Sequence, residues 1–181
     1  MSKKILRKKI LAYRKNNYKV VGPKYNLLKG ILKKFNLLRN KKIGAYFPIN
    51  YEIDCLEILK KLEKSGNKIS LPITEKKNKM DFFEWSFDKP LLIGKIGIPE
   101  PCVKKKVYPD ILLVPLVAFD KYKFRLGYGG GYYDRYIKKI KKIKKILTIG
   151  ISFSFQEVEK IPQNKHDQKL DFILTENYLK K

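Results

Sequence analysis

The chain has 181 residues, 44% of them hydrophobic, so we expect a single domain that spans residues 1–181. It has no apolar run near the roughly 20 residues of a membrane helix, and its N-terminus is too polar for a secretory signal. We therefore expect a cytoplasmic protein. The spacing of the two cysteines, Cys55 and Cys102, does not match a metal-binding motif. We therefore expect both to be reduced thiols. A single histidine, His166, excludes a histidine-rich metal site and makes a Ser-His-Asp triad a poor fit.

The net charge is +25, from 42 lysines and arginines against 17 acidic residues. A charge of this size is typical of proteins that bind nucleic acid. However, the lysines are scattered along the whole chain, and the abundance of Lys, Asn and Ile also fits an A/T-rich coding bias. A basic nucleotide- or nucleic-acid-binding module therefore stays open as the weaker alternative.

Helical and strand-like patterns alternate along the chain. The predicted elements are, in order, helices at 3–14 and 24–38, a strand at 43–47, a helix that ends near 65–66, strands at 68–71, 82–87 and 111–114, a helix from 132 that continues into the lysine-rich run 136–146, and strands at 147–153 and 170–174. We expect residues 73–81 to form a polar connector and the strand at 82–87 to be an edge strand. Residues 91–109 are expected to form a long ordered loop. This alternation predicts an α/β domain with a mostly parallel sheet.

Local signals refine two of these elements. Asp54, with Glu57 three residues later, predicts a capping box at the start of the third helix. Pro72 is expected to close the strand at 68–71. Ligands of parallel sheets bind at the carboxyl ends of the strands, which is where the most unusual segment of the chain is expected to lie.

That segment is RLGYGGGYYDR, residues 125–135, which holds four of the chain's 11 glycines. Glycines followed by a helix favour a cradle for phosphate, because backbone amides can then surround an anion. The segment is not a Walker A loop, which needs Lys where Tyr132 stands, and its spacing does not match the dinucleotide fingerprint. A structural turn is the alternative. Only five residues of the chain are arginines, so those at 125, 135 and 7 are expected where a planar donor is needed.

The motif VPLVAFDKYKFRLGYGGGYYDRY, residues 114–136, resembles the 5-formyltetrahydrofolate cyclo-ligase family, also called methenyltetrahydrofolate synthetases. Further blocks of the family occur in order: KKILR, YFPINYEIDCLEIL, GKIGIPEP and SFQEVEKIPQNKHDQKLD. Leu116 departs from the family glycine after VP and is expected to crowd the loop below the phosphate cradle without abolishing the site. Cys55 replaces a common threonine.

The resemblance implies ATP-dependent closure of 5-formyltetrahydrofolate to 5,10-methenyltetrahydrofolate, with release of ADP and phosphate. It implies a C–N bond-forming ligase of folate one-carbon metabolism. The implied fold is a three-layer α/β sandwich, Rossmann-like and resembling the NagB/RpiA/CoA-transferase-like fold. The implied partners are MgATP and the folate, with or without a polyglutamate tail, and we expect a monomer that binds neither membrane nor nucleic acid.

The resemblance also implies roles for individual residues. The ATP-binding residues would be Lys3, Lys4, Arg7, Arg125, Leu126, Gly127, Tyr128, Gly129, Gly130, Gly131, Tyr132 and Tyr133, with Arg125 and Tyr133 catalytic. The folate-binding residues would be Phe47, Glu52, Tyr128, Gly129, Gly130, Gly131 and Tyr132. Asp134 and Asp167 would hold Mg²⁺, directly or through water. Without the resemblance, we would expect Phe47 to lie in the core and Glu52 and Asp167 to be surface carboxylates. Asp134 would then interact only with the helix dipole.

Overall fold

The structure is a computed structural model that describes residues 1–75, 79–103 and 105–181. Its helices are α1 (Lys3–Asn16), α2 (Tyr25–Lys34), α3 (Leu56–Lys64) and α4 (Tyr132–Lys141), with a 3₁₀ turn at Ser154–Gln156. Its strands are β1 (Lys42–Gly44), β2 (Lys68–Glu75), β3 (Lys79–Trp85), β4 (Leu91–Ile93), β5 (Pro99–Pro101), β6 (Lys106–Val107), β7 (Ile111–Pro115), β8 (Ala118–Asp120), β9 (Arg125–Leu126), β10 (Leu147–Ile151), β11 (Glu157–Val158), β12 (Phe172–Leu174) and β13 (Leu179–Lys180).

An eight-stranded sheet in the order β13-β12-β10-β7-β1-β2-β3-β6 forms the centre of the fold. The five strands from β12 to β2 in that order are parallel, and β13, β3 and β6 pair antiparallel at the two sides. The prediction of a mostly parallel sheet is therefore confirmed. A small second sheet, in the order β11-β8-β9, carries the chain from β7 towards the glycine-rich segment.

Alternate residues of β7 divide the core between the two faces of the large sheet. Ile111 and Leu113 belong to a cluster that includes residues of α2 and α3, whereas Leu112 and Val114 pack in a cluster that includes α4. This is the two-faced pattern of a fully buried parallel strand. The helices thus lie on both sides of the sheet, which confirms the predicted three-layer α/β sandwich. α1 packs separately, against the small sheet.

The segment predicted as a strand at 68–71 and a connector at 73–81 is instead a long antiparallel pairing. β2 runs through Pro72 and pairs with β3 from Ile69↔Trp85 to Glu75↔Lys79. Proline is tolerated because β1 pairs with β2 only as far as Ser70, so no hydrogen bond to β1 is lost at Pro72. The edge-strand prediction for 82–87 is also wrong, because β6 pairs with the other side of β3. Residues 76–78 of the predicted connector lie outside the described residues.

The region predicted as one long loop, 91–109, contains β4, β5 and β6. β4 and β5 form a short hairpin in the register Leu91↔Pro101 to Ile93↔Pro99. A sequence rich in glycine and proline hides such short strands, because these residues are depleted in most sheets. At the other end of the chain, β13 follows the strand at 170–174 that was expected to be the last.

The capping box predicted at Asp54 and Glu57 does not form. Cys55 is the N-cap of α3 and makes no side-chain capping bond. The Asp54 carboxylate instead accepts a 2.7 Å hydrogen bond from the Leu56 amide, and Glu57 pairs with Lys61 one turn further on. The aspartate thus accepts from the backbone amide two residues ahead, as in an Asx turn. A capping box would use the amide three residues ahead.

Several predicted elements are shorter in the structure than in the sequence analysis. α2 ends at Lys34 because Asn36 has a left-handed backbone, with a φ of 55°. α4 ends at Lys141, before the end of the lysine-rich run. Within the described ranges, no helix combines the length and apolarity needed to cross a membrane.

Two glycines in different environments provide a test of the packing. A Cβ added at Gly44, in β1, would lie 2.8 Å from Pro109 Cγ and 2.9 Å from Leu112 Cδ1. We expect Gly44→Ala to lower the free energy of unfolding by about 1–3 kcal/mol through overpacking. Gly30 is exposed within α2, and an added Cβ would approach no described atom within 4 Å. Gly30→Ala should therefore raise the free energy of unfolding, by up to about 1 kcal/mol. Urea denaturation of both variants measures these changes. If both substitutions changed the free energy of unfolding in the same direction, this packing would be contradicted.

Candidate active site

The glycine-rich loop lies between β9, which ends at Leu126, and α4, which begins at Tyr132. Gly129 and Gly131 have φ values of 110° and 65°, in a region that residues with a Cβ rarely adopt. Gly131 is the N-cap of α4 and makes no side-chain capping bond. The first-turn amides of α4 therefore have no side-chain cap, and such amides favour an anion.

Three arginines hold the loop, two through its backbone carbonyls and one through the Tyr128 hydroxyl. Arg7 Nε donates a 2.7 Å hydrogen bond to the Gly127 carbonyl. The Arg135 guanidinium donates to the Gly130 carbonyl, and that of Arg14 donates to the Tyr128 hydroxyl. The expectation that this lysine-rich chain keeps arginine for planar donors thus agrees with the geometry. Sequence analysis missed Arg14, although the same scarcity of arginine was the available signal.

Arg125 joins the start of the loop to α4 and to the segment after Asp167. Its side chain is 4% exposed and donates to the Gln168 carbonyl at 2.7 Å and to Asp134 Oδ1 at 2.8 Å. Asp134 Oδ1 also accepts the Gln168 amide at 2.9 Å. Burial lowers the pKa of Arg125 and the adjacent Asp134 carboxylate opposes that shift, so the guanidinium stays charged at neutral pH.

The N-terminal helix reaches the same region through Lys3. Lys3 Nζ lies 2.5 Å from Asp167 Oδ2, which also accepts the Asn164 amide at 2.8 Å. Lys4, in contrast, is exposed on α1 and does not line the cavity. His166 lines the cavity from the same loop as Asp167.

Glu52 lies in a tight turn after β1. Asn50 and Tyr51 have φ values of 48° and 62°, and for tyrosine this conformation is strained. The turn is closed by Glu52, whose Oε2 accepts the Ile49 amide at 3.0 Å. Without the family resemblance, the sequence predicted that Glu52 is a surface carboxylate. In the structure Glu52 is only 5% exposed.

Burial raises the pKa of Glu52 to about 7, although the Ile49 amide, the Arg14 charge and the Tyr128 hydroxyl lower it. Glu52 also interacts electrostatically with Tyr46, Cys55 and Tyr133. A carboxyl group with a pKa near neutrality inside a cavity is a frequent feature of functional sites.

Most of these side chains border one cavity of about 680 Å³. Its charged and polar lining residues include Lys3, Arg7, Glu52, Arg125, Asp134, Arg135, Lys138, Asn164, His166 and Asp167. Its apolar and aromatic lining residues include Tyr46, Phe47, Ile49, Pro72, Met80, Ile96, Ile98, Pro115, Leu126, Tyr128, Tyr132 and Tyr133, and the loop adds Gly127, Gly129, Gly130 and Gly131. All the site residues expected from the sequence thus line this cavity, except Lys4. Phe47, Thr74 and Pro115 place it at the carboxyl ends of β1, β2 and β7, as parallel sheets predict.

The cavity contains two carboxylates suited to a hard cation, Asp134 and Asp167. In the part of the chain that the structure describes, no cluster of three or more Asp, Glu, His or Cys side chains is arranged to hold a metal. Magnesium usually takes one or two carboxylates and completes its shell with phosphate and water oxygens. The donor set therefore fits a Mg²⁺ ion that arrives with a nucleotide, and does not fit a metal held by protein ligands alone.

Leu116 does not line the cavity. It is 2% exposed and packs in the core, where its Cδ2 is 2.8 Å from the position a Cβ would take at Gly150. Its carbonyl accepts hydrogen bonds from Arg14 and Gln156. The structure thus places this departure from the family pattern in the core rather than beneath the glycine loop.

Residues 1–176 match the sequence model of the 5-formyltetrahydrofolate cyclo-ligase family. The chain belongs to this family. The match covers the N-terminal helix, the Glu52 turn, the glycine loop and Asp167, so it includes each segment that borders the cavity.

Relatives within the cyclo-ligase family support this assignment. The chain is 34% identical over 141 residues to 5-formyltetrahydrofolate cyclo-ligase of Haemophilus influenzae, covering 74% of this chain and 75% of the relative. It is 29% identical over 140 residues to the enzyme of the same name from Escherichia coli K12, covering 74% and 76%. The NMR structure of Aquifex aeolicus 5,10-methenyltetrahydrofolate synthetase superposes with a TM-score of 0.76 at 30% identity, covering 100% of this chain and 93% of that one.

The raised pKa of Glu52 predicts a pH-dependent stability. The pKa is about 7 in the folded protein and near 4.5 for an ordinary glutamate, so the folded state holds its proton more tightly. Relative to Glu52→Gln, the wild-type protein should therefore lose stability as pH rises from about 4.5 to about 7, by ~3 kcal/mol in total, with no further loss above that range. Chemical denaturation of both proteins across this range measures the difference. A difference that stays constant with pH would show that Glu52 is not desolvated.

Proposed function

We propose that this protein is an ATP-dependent 5-formyltetrahydrofolate cyclo-ligase, which forms 5,10-methenyltetrahydrofolate, ADP and phosphate. The family match over residues 1–176 and the names of the relatives support this activity. The observation that carries the proposal is that one cavity combines a glycine-rich loop and basic side chains with an apolar wall and a buried glutamate. Two chemically different substrates can therefore meet across the loop.

The charged side of the cavity suits the ATP phosphates. The loop from Arg125 to Tyr133 and the first turn of α4 supply backbone amides, and Lys3 and Arg7 add positive charge. In this proposal Lys4 acts only through its long-range charge, since it is exposed on α1 outside the lining. Arg125 contributes by orienting Asp134 as well as by its charge, because both of its terminal nitrogens bond protein oxygens.

Asp134 and Asp167 would hold the Mg²⁺ of MgATP. When bound, the ion would neutralise charge on the phosphate oxygens during transfer. Arg125 and Lys3, each bonded to one of these carboxylates, would keep the two side chains oriented towards the cavity.

The apolar side of the cavity suits the folate. Phe47, Ile96 and Ile98 can pack against the pterin, and Glu52 can accept hydrogen bonds from its N–H groups. The loop residues from Tyr128 to Tyr132 would border both substrates. The ionised form of Glu52 accepts at both carboxylate oxygens, so binding a donor-rich ring would lower its pKa from about 7.

The reaction then needs positioning and charge stabilisation rather than a protein nucleophile. The formyl oxygen attacks the γ-phosphorus, and the bond from that phosphorus to the bridging oxygen of ADP breaks. N10 of the folate attacks the activated carbon and loses its proton, and the C–O bond to phosphate breaks. ADP and phosphate are released, so each bond that forms is balanced by one that breaks.

Tyr133 is the side chain we assign to the transferring phosphoryl group. Its hydroxyl is buried with no hydrogen-bond partner among the described residues, and Tyr133 is one of the residues that line the cavity. Burial raises the pKa of Tyr133 well above its ordinary value, with Glu52 adding to the shift. The hydroxyl therefore stays protonated and can donate to a phosphoryl oxygen.

The net charge of +25 is the one feature that the nucleic-acid-binding alternative has in its favour, and the contacts of the arginines argue against it. The arginines at 7, 14, 125 and 135 all bond within the framework of the cavity, and the family match covers nearly the whole chain. We propose that the enzyme acts as a cytoplasmic monomer, on folates with or without a polyglutamate tail.

A chromophore assay tests the proposed function directly. Incubation of the protein with 5-formyltetrahydrofolate, ATP and Mg²⁺ should produce the near-ultraviolet absorbance of 5,10-methenyltetrahydrofolate. Because the two carboxylates need a cation to bind phosphate, omission of Mg²⁺ with added EDTA should abolish the signal. Lack of absorbance with the complete mixture at high protein concentration would contradict the proposal, and activity unaffected by EDTA would contradict the metal assignment.

Tyr133 and Tyr136 form a matched pair. Both belong to α4, and each has a buried hydroxyl with no hydrogen-bond partner among the described residues. Only Tyr133 lines the cavity. We expect Tyr133→Phe to lower kcat at least tenfold, about the loss of one hydrogen bond made in the transition state. Tyr136→Phe should leave kcat within about twofold of wild type. Equal effects of the two substitutions on kcat would remove Tyr133 from the reaction.

A further inference from the structure

Arg14 is a charged residue on the buried face of α1. Together with Leu6 and Ile10 it forms the buried stripe of the helix, and it is 1% exposed. A buried guanidinium is costly unless its donors are bonded. The contacts of Arg14 therefore indicate why a cation lies at this position.

The Arg14 side chain joins three separate segments of the chain. Nη1 donates to the Leu116 carbonyl at 3.2 Å, and Nη2 donates to the Asn50 carbonyl at 2.8 Å and to the Tyr128 hydroxyl. The guanidinium carbon also lies 5.7 Å from the centre of the Tyr128 ring. These segments are the connection after β7, the turn that carries Glu52, and the glycine loop.

We propose that Arg14 is a positioning residue for folate, which holds the Tyr128 hydroxyl next to the Asn50–Glu52 turn. This inference rests on the proposed function. Tyr128 is 41% exposed, so the hydrogen bond from Arg14 to its hydroxyl helps to select one rotamer. A charged donor on its hydroxyl restricts the ring before the substrate arrives, and such preorganisation favours binding.

The fork of arginine is needed for this role. One planar group reaches two backbone carbonyls and a hydroxyl, whereas the single ammonium of lysine cannot match that geometry. The charge has a second effect, since it favours the ionised form of Glu52 and opposes the rise in pKa caused by burial. Arg14 thus acts on both folate-side groups without lining the cavity itself.

Steady-state kinetics of Arg14→Lys test the proposal. The KM for 5-formyltetrahydrofolate should rise at least tenfold, the size expected for a lost charged hydrogen bond, while the KM for ATP stays within about twofold. Arg39→Lys is the matched control, because Arg39 is exposed before β1 and lies outside the cavity lining, and its kinetics should equal those of wild type. In Arg14→Met, which lacks the charge, the pH midpoint of the folate KM should move upwards, whereas Arg14→Lys should keep more of the wild-type midpoint.

The outcomes separate this inference from the proposed function. A wild-type protein that forms no methenyl product contradicts the proposed function, whereas an active wild type with an unchanged folate KM in Arg14→Lys overturns the role of Arg14. Equal rises in both KM values would also overturn it, because they indicate general structural damage. Tyr128→Phe removes the acceptor without altering α1 and should raise the folate KM selectively. An unchanged folate KM in Tyr128→Phe overturns the proposal even if the Arg14 variants do not fold.

Discussion

The hydrogen bonds from arginine side chains to the glycine-rich loop are the constraint on which the rest of the site depends. Gly129 and Gly131 adopt backbone conformations that allow a tight loop, but glycine by itself also leaves a chain flexible. Arg7 and Arg135 bond carbonyls of the loop, and Arg125 joins its start to α4. The loop is thereby held from three directions, and we expect it to keep this shape without a ligand.

The parallel sheet determines where this loop meets its partners. β1, β2 and β7 end at the same edge, which brings the Glu52 turn, the β2–β3 pair and the end of β7 to one cavity. α1 packs on the small sheet and carries Lys3, Arg7 and Arg14 to the loop from outside the three layers. Helix and sheet thus bring basic side chains to the glycine-rich loop, although α1 contributes little to the main core.

The sequence predicted the parts of the molecule that depend on local pattern. The parallel sheet, the helices and the glycine loop follow from periodicity and from residues that permit unusual backbone. The path of β2 through Pro72 was missed because a proline is excluded only where a ladder bond is needed, and that depends on the length of β1. Arg14 was missed because its hydrogen bonds join segments far away in sequence. The burial of Glu52 had no local signal for the same reason, and only the resemblance to a family pointed to it.

The central claim is that the loop is already shaped for phosphate before the nucleotide binds. A crystal structure with Mg²⁺ and a non-hydrolysable ATP analogue tests it most directly. The account predicts phosphates on the amides of residues 129–131 and the first turn of α4, the cation between Asp134 and Asp167, and unbroken bonds from Arg7 to Gly127 and from Arg135 to Gly130. A rearranged loop that breaks those bonds, or phosphates bound elsewhere, would contradict it.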